Sequence, residues 1–310
     1  MIKSRIAIFV LIGTVIFYSV LISISDFEEF SNELSLLKKE FVPLILLLHF
    51  SVMFCRSIRQ KFLFDSLDVK LSLKEHVYIH FSGLALIMTP GGLGQTVKAY
   101  YLKERKNLEY SKTISISLVE RFYDLFSIIP ILFVMSFFVN SVEIRIVTIS
   151  VTSFLLILLG LIKNKKTFNL LISIMPKKSI FQKISDNSNE IYDVFGKLTH
   201  RNLFLLSLLI GMISWIVAGA AFYFSFLAFN IDMSFFETTL ISLVPITIGT
   251  LSFLPGGIIA TEMTMLGFLD NYNIHGSLAT AVVLFTRITS IWFLTFVGII
   301  CTKIVYSKIK

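Results

Sequence analysis

A Pro-Gly-Gly sequence interrupts the chain twice inside long apolar stretches, first at residues 90–92 and again at residues 255–257. Each interruption is followed, deep in the next apolar stretch, by a lone arginine, Arg121 or Arg287. Helix-breaking backbone is costly inside a lipid bilayer unless it lines a cavity or is buried in protein. Two such breaks at matching places in two halves of a chain are typical of transporters with a binding site near the membrane midplane.

The composition indicates an all-α polytopic membrane protein. Of 310 residues, 55% are hydrophobic and 15% are charged, and the mean hydropathy is +0.82. Such values are rare in soluble domains. The net charge of +8 comes from short basic clusters between apolar runs, so we expect contact with anionic lipid and no nucleic-acid partner. Two cysteines provide no disulfide framework, and no ligand spacing predicts a metal or cofactor.

Apolar length predicts six spanning helices and two shorter interrupted segments. The interrupted segments cover about residues 76–105 and 236–270, and each arm of about 14 residues reaches only halfway across a bilayer. Each segment is therefore either one long broken span or a re-entrant helical hairpin. The six predicted spans are residues 6–25, 41–57, 112–139, 143–163, 203–229 and 275–305.

The distribution of basic residues favours two re-entrant hairpins. With both segments as hairpins and the N-terminus cytoplasmic, 23 Lys and Arg residues fall inside and 3 fall outside. Cytoplasmic loops carry an excess of Lys and Arg, so this topology fits better than one with full spans. It places both termini in the cytoplasm of a cell whose plasma (inner) membrane holds the protein.

This topology makes the chain an inverted-topology repeat within a single transmembrane domain, residues 1–310. The two repeat units cover about residues 41–139 and 203–305, and their hairpins open to opposite sides of the membrane. An amphipathic stripe over residues 27–41 predicts a helix on the outer surface or packed on the bundle. Residues 164–202 form a cytoplasmic amphipathic loop, expected at the inner interface.

The breaks themselves are candidate substrate-binding elements. Proline starts a helix well, glycine lets backbone approach a ligand closely, and free N–H groups at a helix start attract anions. A plain turn between two arms is the alternative interpretation for either break alone. The candidate residues are Pro90, Gly91, Gly92 and Gly94 at the first break and Pro255, Gly256 and Gly257 at the second.

Charged residues within the spans form the second candidate set. Glu120, Arg121 and Asp124 share one face of their predicted helix, so Arg121 either pairs with Asp124 or holds a phosphate as a bidentate donor. Glu262 follows the second break and is either the partner of Arg287 or a proton-coupling carboxylate. Lys98 is expected near the cytoplasmic surface.

These motifs resemble the lysylphosphatidylglycerol synthetase transmembrane-region family over about residues 5 to 305. The family includes the flippase domain of the multiple peptide resistance factor, so the resemblance implies lipid translocation between leaflets. The motifs that carry it, and the implied site, are the two Pro-Gly breaks with Glu120, Arg121, Asp124, Glu262 and Arg287.

Two departures from the family pattern matter for this chain. Ile259 stands where the first repeat has Gly94, so the second phosphate cradle is expected to be weaker. No aminoacyl-transferase domain follows Lys310, so we expect a stand-alone member that makes no lysylphosphatidylglycerol by itself.

The sequence therefore predicts a lipid flippase for an anionic, phosphate-bearing lipid, either a phospholipid or a polyprenyl-linked precursor. The expected partners are membrane lipids, with a homo-oligomer or an envelope-biosynthesis enzyme as further alternatives. A proton-coupled small-solute transporter using Glu262 and His49, and a non-transporting scaffold for polysaccharide assembly, are the rival functions. The sequence shows no recognisable arrangement of a nucleophile with an acid–base pair, so we do not expect an enzyme.

Overall fold

The computed structural model describes residues 4–89, 98–106, 108, 110–174 and 188–307. Every regular element in these ranges is a helix, as the composition predicts. In chain order the α-helices are α1 (Ser4–Ile24), α2 (Phe27–Ser35), α3 (Val42–Asp65), α4 (Leu73–Leu84), α5 (Lys98–Lys106), α6 (Tyr110–Ser136), α7 (Val142–Lys163), α8 (Lys165–Ile174), α9 (Ser188–Leu198), α10 (Arg201–Ala228), α11 (Phe235–Leu251), α12 (Ala260–Asp270), α13 (Gly276–Arg287) and α14 (Phe293–Ser307).

Four helical stretches in the described ranges are long and apolar enough to cross a membrane. They are Lys39–Asp65, Val142–Ile162, Arg201–Ala228 and Gly276–Val305. The other two predicted spans correspond to α1 and α6, which are helical over nearly the predicted residues. Helix α6 carries its charged residues within the predicted span, which lowers its mean hydropathy.

Helix α3 ends later than the sequence predicts. It continues to Asp65 rather than stopping near residue 57, and its last three turns bury Arg56 and Arg59 inside the bundle. A charged side chain can remain inside a helix bundle where a protein partner replaces water around its charge. The basic residues predicted for the cytoplasmic loop after this helix therefore belong in part to the bundle interior.

The first arms of both interrupted segments begin with the same local motif. Helix α4 starts at a capping box formed by Ser72 and Glu75, and α11 starts at one formed by Ser234 and Glu237. In each box the serine hydroxyl accepts from the glutamate N–H, which satisfies an otherwise unpaired donor. A Ser-x-x-Glu signal thus marks the start of each segment.

The second interrupted segment folds back on itself. Helices α11 and α12 pack side by side, and at the break a Cβ on Gly249 would lie 3.2 Å from Cα of Gly257. At the opposite end, burial and then the nearby carboxylate of Glu237 raise the pKa of Tyr272. Both ends of this segment therefore lie together, as in a helical hairpin.

The two predicted repeat units make the same set of helix contacts. In the first unit α3 packs on α4 and α5 packs on α6, and in the second α10 packs on α11 and α12 packs on α13. The units join through α3 against α10, and each first arm packs on the last long helix of the other unit, α4 on α14 and α11 on α6. Gly298 permits the close contact of α14 with the end of α4, since a Cβ there would lie 2.7 Å from the carbonyl carbon of Leu84.

The two amphipathic stretches pack on the bundle. Helix α2 buries Phe30, and the Ser277 hydroxyl at the start of α13 donates to Glu29 at 2.9 Å. In the second stretch α9 buries Ile191, Val194 and Leu198 against α6 rather than lying only at an interface. Part of that stretch, residues 175–187, lies outside the described residues.

Candidate functional site

The predicted site residues divide into those that the structure describes and those that it does not. The first break, with Pro90, Gly91, Gly92 and Gly94, lies outside the described residues. The remaining candidates are described and form two groups. One surrounds Asp124 and the other surrounds Glu262.

Asp124 is a buried carboxylate that three arginines surround. Its Oδ1 accepts from Nη2 of Arg59 at 2.5 Å, and its Oδ2 lies 3.3 Å from Nη1 of Arg121 and 3.6 Å from Nη1 of Arg56. Arg121 thus takes the pairing with Asp124 that the helical spacing predicts. Arg56 and Arg59 arrive from α3, one turn apart on the face that meets α6.

Glu120, the neighbouring acid, pairs across to the second arm of the first interrupted segment. Its carboxylate forms an ion pair with Nζ of Lys98, and both side chains are buried. Lys98 therefore lies inside the bundle rather than reaching out to water, and its depth in the membrane stays a prediction. Lys98 can be buried here because the carboxylate of Glu120 stabilises its ammonium group in place of the water that would otherwise hydrate it.

Positive charge exceeds negative charge in this cluster. Four cations, Arg56, Arg59, Lys98 and Arg121, meet two carboxylates, Glu120 and Asp124. Nε of Arg56 and both Nε and Nη1 of Arg59 are buried without a hydrogen-bond partner among the described residues. Buried N–H groups of a charged side chain are rarely left so, because each one without a partner costs about 1–3 kcal/mol or more. We refer to these six residues as the basic cluster.

Aromatic and small residues hold the basic cluster in place. The guanidinium of Arg56 lies 4.5 Å from the ring centroid of Trp215, whose Nε1 donates to the backbone oxygen of Asp124 at 2.9 Å. Gly211 faces α6 so closely that a Cβ there would lie 2.6 Å from Cβ of Ser127 and 3.3 Å from Nη1 of Arg59. Helix α10 thereby forms one wall of the cluster.

Two further polar side chains, those of Gln60 and His80, lie close to the basic cluster. Nδ1 of His80, on α4, lies 2.7 Å from Oε1 of Gln60, on α3. Nε2 of His80 and Nε2 of Gln60 are buried without a hydrogen-bond partner among the described residues. The amide of Gln60 adds a neutral N–H donor one residue after Arg59.

Glu262 is the centre of the second group. Its carboxylate is fully buried, and Oε1 accepts from Nε of Arg287 at 2.7 Å and from the hydroxyl of Tyr18 at 3.0 Å. Nη2 of Arg287 donates further to the backbone oxygen of Gly256 at 2.6 Å. Arg287 thus ties the second break to its own helix, and the group has one cation for one carboxylate.

The second break has a strained backbone. Gly256 and Gly257 have φ values of 64° and 67°, which glycine adopts freely. Ile259, the residue that departs from the family pattern, also has a positive φ, 75°, with ψ at −58°. A β-branched residue in this conformation is a genuine outlier that costs about 1–3 kcal/mol.

The second break lies against the end of the first arm of the other unit. A Cβ on Gly256 would lie 3.5 Å from Cγ of Met88, two residues before Pro90, and 3.4 Å from Cδ1 of Ile291. Ile291 belongs to a π-helical turn, Ile288–Trp292, that directly follows Arg287. Such turns are rare and occur frequently at functional sites.

In each unit an ion pair joins the interrupted segment to the helix that follows it, and the signs of the two charges are exchanged between the units. In the first unit Lys98 of the interrupted segment pairs with Glu120 of α6. In the second unit Glu262 of the interrupted segment pairs with Arg287 of α13. Lys98 lies eight residues after Pro90 and Glu262 lies seven after Pro255, so the two ion pairs occupy similar places with their charges exchanged.

An open apolar groove lies between α3, α4 and α14. Its volume is about 570 Å³, and most of its walls are aromatic or aliphatic. The lining residues include Phe50, Phe54, Val77, Phe81 and Cys301. Lys74 lies at the groove beside Tyr78, so a cation borders an apolar trough.

In the part of the chain that the structure describes, no group of three His, Cys, Asp or Glu side chains could hold a metal ion.

Sequence reasoning misses Arg56, Arg59, Tyr18 and Trp215 as members of these two groups. The apolar run before Arg56 and Arg59 ends at about residue 57, which predicts a loop from there on. One signal indicates otherwise: no glycine or proline follows until after residue 65, so the helix has no reason to stop. Tyr18 carries no comparable signal, since only the fold brings it to a carboxylate 244 residues away.

Comparison with known proteins identifies one matching family and several relatives. The profile of the Lysylphosphatidylglycerol synthase TM region matches residues 6–298. A UPF0104 membrane protein of Methanothermobacter thermautotrophicus is 25% identical over 84% of this chain and 81% of its own length. A UPF0104 membrane protein of Pyrococcus horikoshii is 23% identical over 83% and 85%. A third, from Methanocaldococcus jannaschii, is 26% identical over 72% and 94%. No solved structure matches the chain.

Proposed function

Because the chain belongs to the Lysylphosphatidylglycerol synthase TM region family, we propose that it is an integral membrane lipid flippase. Its cargo is an anionic lipid with a phosphate in the headgroup, which it moves between the leaflets of the plasma membrane. The observation that carries the proposal is the excess of positive charge in the basic cluster. The family match and the four long apolar helices support its place in a membrane.

An uncompensated cation in a membrane protein requires an anion. Arginine near the centre of a membrane helix costs at least about 2.5–3.5 kcal/mol on insertion scales, and more where its N–H groups lack acceptors. Arg59 is 1% exposed and has two nitrogens without a partner among the described residues. A phosphate group offers several acceptor oxygens to a planar guanidinium, and this pairing is among the strongest that proteins use.

The surroundings suit a lipid rather than a free anion. The side chain of Arg121 is 28% exposed, so the basic cluster opens at this residue. An apolar groove runs beside α3 and α4, and its aromatic and aliphatic lining can pack against fatty or prenyl chains. In our proposal the headgroup enters the basic cluster and the chains remain in lipid along such walls.

Two re-entrant hairpins in an inverted-topology repeat form the moving parts in this proposal. The side-by-side arms of the second segment and the matching helix contacts of the two units support it. The approach of Gly256 to Met88 brings the second break to the first interrupted segment. A site between two breaks is the arrangement that alternating-access transporters use. Both termini are cytoplasmic in this topology.

The ion pair in the second unit weighs against a proton-coupled transporter. Oε1 of Glu262 already accepts hydrogen bonds from both Arg287 and Tyr18. These contacts give Glu262 a structural role in this proposal, as the partner of Arg287 beside the second break. We therefore keep the lipid flippase as the single proposed function.

A reconstitution experiment tests the proposal. Purified full-length protein is placed in liposomes that carry a fluorescent phospholipid with an anionic headgroup, and a reductant added outside destroys the outer-leaflet label. A flippase brings the inner pool to the reductant, so the signal falls well below the half that protein-free liposomes retain. Anionic labelled lipids should be lost faster than a zwitterionic one.

Matched variants connect transport to the basic cluster. Arg59→Gln removes a buried cation that contacts Asp124, whereas Lys61→Gln removes a half-exposed cation that pairs with Asp65 on the same helix. We expect the first to slow transport at least about tenfold, the loss of one strong phosphate contact, and the second to leave it unchanged. Folded protein that moves no anionic lipid, or equal rates in both variants, overturns the proposal.

A further inference from the structure

We propose that Gln60 and His80 form a subsite for a hydroxyl group of the lipid headgroup, beside the arginines that hold the phosphate. The inference rests on the proposed function and adds the substrate class, a phosphodiester lipid whose headgroup carries an alcohol, as a polyol or a sugar does. It follows from the hydrogen-bonding capacity that the two side chains leave unused and from their position next to Arg56 and Arg59.

Gln60 and His80 share one hydrogen bond, and each keeps one buried polar atom unused. Nδ1 of His80 lies 2.7 Å from Oε1 of Gln60, and Nε2 of each side chain has no hydrogen-bond partner among the described residues. Gln60 is fully buried and His80 is 5% exposed. Unused polar atoms at such depth are rare, because nothing replaces the hydration that they lose on burial.

The unused atoms are one donor and one acceptor, whichever way the amide points. If Oε1 of Gln60 accepts from Nδ1 of His80, a neutral imidazole has an Nε2 that accepts, and the amide nitrogen is the free donor. If the amide nitrogen donates to Nδ1 instead, Nε2 of His80 carries the proton and the amide oxygen is the free acceptor. The imidazole is neutral because it is buried and its strongest charged neighbours, Lys98 and Arg59, are cations.

A hydroxyl group matches this pair of atoms, and the charged groups of common headgroups do not. A hydroxyl both donates and accepts, so it satisfies the free acceptor and the free donor together. A phosphate oxygen only accepts and would face the free acceptor, whereas an ammonium group only donates and would face the free donor. The subsite therefore distinguishes an alcohol from either kind of charged group.

The position of Gln60 places the subsite next to the phosphate-binding arginines. Gln60 follows Arg56 by four residues on α3, so the two side chains share a face about 6 Å apart along the helix axis. Nε of Arg56 and both Nε and Nη1 of Arg59 are also buried without a partner in the described part of the chain. A phosphate at these nitrogens and a hydroxyl a few bonds further along the same headgroup span that distance.

Two other buried histidines show why the pairing matters. His49 and His76 also have nitrogens without a hydrogen-bond partner, and each lies edge-on to a phenylalanine ring. No side-chain hydrogen bond joins either one to a neighbour among the residues that the structure describes. His80 differs because its partner Gln60 also has an unused atom, so the two side chains together present a defined donor and acceptor.

Competition between lipids that differ in their hydroxyl groups tests the subsite. Full-length protein in detergent micelles is given an equimolar mixture of dioctanoyl phosphatidylglycerol and dioctanoyl phosphatidylpropanol, and native mass spectrometry measures the ratio of the two bound forms. A second mixture contains glucosyl farnesyl phosphate and cyclohexyl farnesyl phosphate. All these probes are singly charged phosphodiesters, so the phosphate contacts cancel within each mixture. The two mixtures separate a glycerolipid from a prenyl-linked sugar as the source of the alcohol.

We expect the alcohol-bearing lipid of at least one mixture to bind at least about tenfold more tightly than its hydroxyl-free counterpart. Two buried hydrogen bonds readily supply the corresponding difference of about 1.4 kcal/mol. Preference in only one mixture supports the inference and identifies the lipid class. Ratios near one in both mixtures overturn it, and are the result expected if a water molecule rather than a headgroup bridges the two side chains.

The binding ratio and the liposome assay report separately on the inference and on the function. If phosphatidylglycerol is flipped while both ratios are near one, the inference fails and the flippase function stands. If alcohol-bearing lipids are preferred and no anionic lipid is flipped, the subsite stands and the flippase function fails.

Three variants assign the preference to the pair. Gln60→Met and His80→Leu each remove one hydrogen-bonding side chain, so the ratio should fall to about threefold or less while the hydroxyl-free lipid binds as before. His76→Leu removes the imidazole one turn earlier on α4 and should keep the ratio of the parent. A purely structural role would weaken both lipids of a mixture together. An unchanged ratio in a folded variant of either pair member contradicts the inference, and the ratio of the parent protein decides where neither variant folds.

Discussion

Arg287 and Glu262 form a buried ion pair, with 2.7 Å between Nε and Oε1, that joins α13 to the arm after the second break. The same arginine also holds the backbone oxygen of Gly256. The pair therefore fixes the position of the break relative to a long helix. Removing either partner leaves the other charge buried and uncompensated.

We predict that Glu262→Gln and Arg287→Gln each destabilise the protein by about 3–5 kcal/mol, and that the double variant recovers much of this loss. Thermal unfolding in detergent, followed by intrinsic fluorescence, provides the measurement. A double variant no more stable than the worse single variant would contradict the pairing. If the double variant is stable but flips lipid slowly, the pair acts in transport as well as in folding.

The contact between α10 and α6 depends on a missing side chain at Gly211. A Cβ there would overlap the side chain of Ser127, so Gly211→Ala should cost about 1–3 kcal/mol of stability. Ser127→Gly in the same chain makes room and should restore part of it. Gly267→Ala is the matched control, because nothing lies within 4 Å of its Cβ position. Equal unfolding temperatures for Gly211→Ala and Gly267→Ala would show that this contact is loose.

The positive φ of Ile259 predicts an order of stability for two small residues at this position. Ile259 is the N-cap of α12, a position where glycine is already favoured over alanine, and at a φ of 75° glycine also avoids the backbone strain. We therefore expect Ile259→Gly to be more stable than Ile259→Ala, by about 1 kcal/mol. The side chain is 49% exposed, so little packing is lost in either case. An alanine variant that unfolds later than the glycine variant would rule out a strained backbone here.

The inverted topology predicts opposite labelling at two exposed positions. Cysteines replace Lys70, before the first interrupted segment, and Asn271, after the second, in a chain whose Cys55 and Cys301 are changed to serine. In intact cells a membrane-impermeant maleimide should modify the cysteine at 271 and leave that at 70 until the cells are broken. Modification of both from outside would refute the proposed topology.

Sequence pattern predicts the helices of this protein well because apolar length determines them almost alone. The charged groups are predicted unevenly. Arg121 with Asp124 follows from helical spacing, and Arg287 with Glu262 follows from the lack of any nearer acid. The burial of Arg59 cannot be predicted from the sequence, because a basic residue at the end of an apolar run is usually exposed. Only its packing against α6 shows that it is buried.

Three basic residues that the sequence assigns to cytoplasmic loops are buried in the bundle: Arg56, Arg59 and Lys98. Even without them the loops predicted to be cytoplasmic carry most of the remaining Lys and Arg, so the predicted orientation does not depend on them. Their burial inside the protein is what the sequence does not predict. The count of basic residues indicates the side of the membrane to which a residue belongs, but not whether a partner draws it inward.

The distance along the chain between Arg59 and Asp124 has a consequence for biosynthesis. The two residues are 65 positions apart, and α3 leaves the ribosome well before α6 exists. During that interval the membrane must accommodate a helix with two unpaired arginines, whose insertion is unfavourable by several kcal/mol in isolation. We therefore expect α3 to reach its final position only after α6 is synthesised, with the insertion machinery or nearby anionic lipid accommodating its arginines until then. The buried ion pair that joins residues 65 positions apart is thus also expected to delay assembly of the first half of the chain.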